Sequence, residues 1–93
     1  MSNERFSSIW DAIEDTPEEA ENMKVRAALM RAVKDRIRAE GWSQTEAAKR
    51  LGVTQPRVSD LMRGKIDLFS IDALVNMVAR AGLHVSVDVR AAA

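Results

Sequence analysis

The sequence predicts an all-α domain of four or five helices, closed by one short C-terminal β-strand. Three observations lead there. Apolar residues recur at spacings of three and four through most of the 93 residues. Thr16, Ser43, Thr54 and Ser70 stand where helices should begin, and Gly41, Gly52, Gly64 and Gly82 where they should end. Only after Gly82 does the apolar period change to two. The length suits a single core, divided into an acidic arm over 1–15, a helical domain over 16–82 and a strand with its tail over 83–93.

In the arm, Phe6, Ile9, Trp10 and Ile13 fit a short amphipathic helix. Thr16-Pro17-Glu18-Glu19 then opens a long helix: a capping hydroxyl, a proline in the first turn, and acids at the positive end of the dipole. Met23, Ala27, Met30, Val33 and Ile37 form its buried stripe, which runs to about Ala39 before Gly41. Ser43 to Glu46 reads as a capping box, with the Ser43 hydroxyl on the Glu46 amide and the Glu46 carboxylate returning to the Ser43 amide. Trp42 and Ala47 occupy the positions of a hydrophobic staple. Ala47, Ala48 and Leu51 make a short helix that Gly52 breaks. Thr54 caps the next, which tolerates Pro56 in its first turn and turns Val58, Leu61 and Met62 inward before Gly64. Ser70 caps a further helix bearing Ile71, Leu74, Val75 and Val78. Leu83, Val85, Val87 and Val89 then alternate with His84, Ser86, Asp88 and Arg90 as one strand. A single strand cannot satisfy its own backbone, so it needs a partner.

The net charge of zero conceals segregation. Residues 1–22 hold seven acids against Arg5, while residues 23–65 hold eleven Lys and Arg against four acids. The centre can meet a polyanion and the arm cannot. The absence of cysteine removes disulfides and thiolate zinc sites and fits the cytoplasm. A single histidine cannot build an all-histidine metal site, and neither a glycine-rich phosphate loop nor a histidine–nucleophile pairing is legible. The expectation is a non-enzymatic protein with no cofactor or metal. No apolar run approaches the roughly 20 residues needed to cross a membrane, and the acidic start is not a signal peptide.

The constellation that carries function lies in residues 43–65. Two short capped helices joined by Leu51-Gly52-Val53 fit a helix-turn-helix, with alanines at 47 and 48 allowing close packing. The second helix then exposes Gln55, Arg57, Ser59, Asp60 and Arg63. Gln55 and Arg57 fall in its first turn, the part of a reading helix that goes deepest into the major groove. Glutamine can bind adenine, and arginine guanine, through two hydrogen bonds. Ser59 and Asp60 complete the candidate base-reading set; Asp60 either accepts from a cytosine amino group or pairs with Arg57 or Arg63. Lys49, Arg50, Arg63 and Lys65 suit phosphate contact.

SQTEAAKRLGVTQPRVSDLMRGK, residues 43–65, resembles the helix-turn-helix of the Xre/Cro/lambda-repressor-like family. The matching positions are Ser43, Gln44, Ala48, Leu51, Gly52, Val53, Thr54, Val58 and Ser59. The resemblance spans 23–81 as a four-helix domain. It implies a transcriptional regulator, in which Gln44 steadies the reading residues and touches a phosphate beside Ser43 and Thr54. The flanking segments resemble a compact subgroup, the HigA-type antitoxins, which implies a RelE-like toxin protein as a partner. The expected function is a repressor that reads an inverted-repeat operator in double-stranded DNA as a homodimer. The alternative is an antitoxin that neutralises such a toxin and regulates its own operon.

Overall fold

A computed structural model describes residues 16–92. It contains α1 (Pro17–Glu40), α2 (Gln44–Leu51), α3 (Gln55–Met62), a single 3₁₀ turn (Ile66–Leu68) and α4 (Ile71–Arg80). The helix expected over residues 6–13 and the acidic arm that contains it lie outside the described residues.

Each α-helix starts where a hydroxyl can replace a missing intrahelical acceptor. Thr16 Oγ1 accepts from the Glu19 amide at 3.2 Å, Ser43 Oγ from Glu46 at 3.1 Å, Thr54 Oγ1 from Arg57 at 3.3 Å and Ser70 Oγ from Ala73 at 3.1 Å. Gly41 ends α1 in the left-handed conformation that its lack of a Cβ permits, at φ +68°.

The core gathers one face from every helix. Val33 and Ile37 of α1, Ala47 and Leu51 of α2, Val58 and Leu61 of α3, and Leu74, Met77 and Val78 of α4 are buried, together with Phe69 from the connection before α4. α1 packs chiefly on α4, and α2 on α3. Ala47 is fully buried, so α3 crosses α2 where the side chains are smallest. No polar or charged side chain is buried among the described residues; the domain is held by apolar packing and by its helix ends.

Two expectations about packing change. The stripe of α1 is buried at Leu29, Met30, Val33 and Ile37, while Met23 and Ala27 are only half-buried. At 1.5 Å per residue, the 24 residues of α1 span about 36 Å, against roughly 12–15 Å for α2, α3 and α4. The first half of α1 therefore extends past the other described helices, which cover it only in part. The C-terminal strand is not formed: among the described residues no strand occurs, and 83–92 run without regular structure. The reason is the missing partner. Leu83 N–H donates back to Val78 O at 3.0 Å and completes the end of α4, and among the described residues no segment pairs with those that follow to form a ladder.

Candidate nucleic-acid interface

α2, the turn and α3 form the unit on which the candidate residues sit. Gly52 makes the turn at φ +70°, and its amide and that of Val53 close α2 onto the carbonyls of Lys49 and Ala48. A second constraint holds the same glycine. Arg80 of α4 donates from Nε to the Arg50 carbonyl at 3.3 Å, and its guanidinium lies so close that a Cβ on Gly52 would come within 2.7 Å of it. The turn thus combines a backbone conformation that disfavours L side chains with a surface already occupied by Arg80.

Gln55 is the first residue of α3 and is exposed, as are Gln44 at the start of α2 and Lys49 further along it. None of the three makes a side-chain hydrogen bond or ion pair among the described residues, and neither does Arg63. Ser43 and Thr54 spend their hydroxyls on the caps. Ser59 is half-buried.

Four other candidates are engaged within the domain. Arg57 folds back from the first turn of α3: Nη1 donates to Leu68 O at 2.7 Å, and the guanidinium lies 4.1 Å from the centroid of the buried Phe69 ring. Arg50 pairs with Glu46 at 2.8 Å and stands 4.8 Å over the Trp42 ring. The capping box is therefore half formed. Ser43 receives the Glu46 amide, but the Glu46 carboxylate turns along the helix to Arg50, one turn away, where opposite charges meet. Asp60 faces Lys65 at 3.8 Å, a pairing that replaces those expected with Arg57 or Arg63. The turn through Gly64 brings residue 65 back beside α3, and the Lys65 amide also donates to Asp60 O at 3.1 Å.

Arg57 and Arg80 belong to a recurring arrangement. Arg26 donates to Ile66 O at 3.3 Å and Arg36 to Ala81 O at 3.0 Å. Arg36, Arg57 and Arg80 serve carbonyls at helix C-termini, where acceptors lack intrahelical donors and the dipole favours a cation, whereas the Ile66 carbonyl that Arg26 reaches also accepts from the Phe69 amide. Several of the charges that make the centre basic are consequently spent inside the fold.

One basic surface escaped the reading of residues 43–65. Arg31, Lys34 and Arg38 line a groove between α1 and the turn after α3, closed by Met30, Gly64 and Ile66. Their spacing of three and four is that of one helix face, so a wheel drawn for α1 would have shown it. Asp35 lies on the same groove and pairs with Arg38 at 3.6 Å. The groove adjoins the turn that carries Arg63 and Lys65.

The arrangement is similar to known proteins. A family model described as a helix-turn-helix domain matches residues 12–90. A solved structure described as "Putative XRE Family Transcriptional Regulator" superposes with a TM-score of 0.72 and is 32% identical, over 78% of this chain and 82% of that one. Comparison with curated proteins gives no match.

Proposed function

Because the chain belongs to the Xre-like helix-turn-helix family, we propose that it is a DNA-binding transcriptional regulator that represses from an inverted-repeat operator as a homodimer. The observation that carries this reading is the exposed start of α3. A capped helix entered through a left-handed glycine presents Gln55 outward, with Lys49 and Arg63 exposed nearby on the chain and free of intramolecular partners among the described residues. Gln55 reads a base edge, with adenine its natural match. Gln44, Lys49, Arg63 and Lys65 contact phosphates, and Arg31 and Lys34 extend that contact along α1.

Arg57 takes a different part from the one its position in the helix implies. Held on Leu68 O and Phe69, it fixes the start of α3 against the connection to α4, and base contact requires it to leave both. Ser59 and Asp60 read bases only where the major groove reaches the middle of α3.

The charge segregation favours a second reading, the neutralisation of a RelE-like toxin through a cationic surface of that partner. Seven acids against Arg5 over residues 1–22 suit a cationic protein surface and repel DNA.

Selection of bound duplexes from random sequence, followed by competition between the selected and scrambled duplexes, tests the principal reading. A selected inverted repeat that the protein prefers at least a hundredfold is the expected result. Equal binding to both duplexes at every salt concentration contradicts it.

A further inference from the structure

The segment after Gly82 carries the most conspicuous unpartnered surface among the described residues. Val85, Val87 and Val89 are 42%, 79% and 85% exposed, and beyond the Leu83 amide the tail makes no backbone hydrogen bond among the described residues. It runs beside the overhanging half of α1, where residues 85–88 share a shallow groove with Glu21, Lys24, Val25 and Ala28. Val25 is itself 42% exposed. An alternating segment whose amides and carbonyls find no backbone partner among the described residues thus adjoins a helix half that the other described helices leave partly exposed, and both deficits call for the same remedy.

We propose that this tail pairs with the tail of a second copy in an antiparallel two-stranded ribbon centred on Ser86. The inference rests on the homodimer of the reading above and supplies its interface. Period two limits the registers. Directly opposed residues share a face, so a shift by one residue would set Val85 against Asp88 and mix valines with charges on both faces. Three registers keep the valines together. Centring on Val85 would need Ala81 to oppose Val89, but Ala81 is 4% exposed and belongs to the core. Centring on Val87 sets His84 opposite Arg90, which offers no charge complement. Centring on Ser86 sets Val85 opposite Val87 and Leu83 opposite Val89. It also places His84 opposite Asp88 of the second copy, and the twofold axis repeats every pair. A second copy therefore complements the tail on both faces at once. Because Val85 and Val87 border the groove with α1, the apolar face of the ribbon can cover the overhang of both molecules.

The chain has no cysteine, so a single one reports proximity without interference. Opposed Cα atoms in an antiparallel pair lie about 4.5–5.5 Å apart, within the roughly 4.4–6.8 Å a disulfide spans. Full-length Ser86→Cys, oxidised at micromolar concentration, is expected to form a covalent dimer in high yield, and Val87→Cys much less of it. In the cysteine-free protein, His84→Glu should weaken dimerisation roughly threefold to tenfold by setting like charges opposite each other, and adding Asp88→Lys should restore it. These positions lie outside the core, so circular dichroism should show unchanged helix content in every variant. A monomer by light scattering at tens of micromolar overturns the proposal, whether or not another protein pairs with the tail. So does a dimer indifferent to Val85→Asp with Val87→Asp, or cross-linking at 87 in preference to 86. Every measurement is made without DNA, so tail pairing can fail while selective duplex binding survives, and the reverse.

Discussion

The guanidinium of Arg57 lies 4.1 Å from the centroid of the Phe69 ring, and Phe69 is among the most deeply buried side chains of the domain. A residue at the start of the reading helix is thereby tied to the connection between α3 and α4. Arg57→Ala removes a cation–π contact of about 0.5–1 kcal/mol and a charged hydrogen bond of about 1.5–3 kcal/mol, the latter reduced by partial exposure. The expected loss of stability is about 1–2 kcal/mol, or several degrees in Tm. Phe69→Leu, which keeps an apolar side chain but removes the ring, should reproduce part of it. An unchanged melting curve for Arg57→Ala would return the residue to base reading alone.

Gln55→Ala provides the contrast. Its side chain has no partner in the fold, so Tm should stay within a degree of the parent. Affinity for the selected duplex should fall by about 1–3 kcal/mol, and discrimination at one base position should be lost. Binding to scrambled DNA should hardly change. If both duplexes lose affinity equally, Gln55 makes no base contact.

Asp60 and Lys65 lie close enough that removing one charge reports on the other. Lys65→Ala should weaken all duplexes alike and reduce the slope of log K against log salt by about 0.9. Asp60→Asn leaves Lys65 unopposed and should strengthen binding to all duplexes, most clearly at low salt. A change of base preference instead would show Asp60 accepting from a cytosine.

Gly52 and Arg80 form a coupled pair. Gly52→Ala should cost about 1–2 kcal/mol through its positive φ and a further ~1 kcal/mol when the methyl displaces Arg80 from the Arg50 carbonyl. With Arg80→Ala already present, only the backbone cost remains. Denaturant unfolding of both single variants and the double variant should therefore give less than additive losses. Strict additivity would mean the Arg80 contact contributes nothing.

The helices were legible because their signals are local. Each of Thr16, Ser43, Thr54 and Ser70 caps the helix it was expected to cap, and Gly41 and Gly52 take the left-handed conformation where turns were expected. What could not be read depends on contacts remote in sequence. Arg57 looked like a free first-turn residue because its partners, Leu68 and Phe69, lie more than two helical turns later in the chain and belong to a different element. The half-buried state of Met23 and Ala27 follows from the shortness of the other helices, which a wheel drawn for α1 alone does not express. For Asp60 the sequence leaves open a cytosine amino group or an arginine as its partner, and only the path of the chain through Gly64 brings Lys65 to it. The tail is the converse case: its alternation reads as a strand, but a strand exists only where a second one lies beside it.

The hydroxyl caps also bear on how quickly the domain is assembled. A helix start fixed by a residue three positions away can form before any distant contact exists, and all four described α-helices begin that way. The search left to the chain is then the docking of short preformed pieces, with α1 on α4 the longest loop to close. Helical domains of this kind refold in microseconds to milliseconds, and stopped-flow or temperature-jump relaxation should place this one in that range. A domain that folds on such a timescale reaches its helical fold almost as soon as α4 is released from synthesis, at about 5–20 residues per second, and only the pairing of two copies remains.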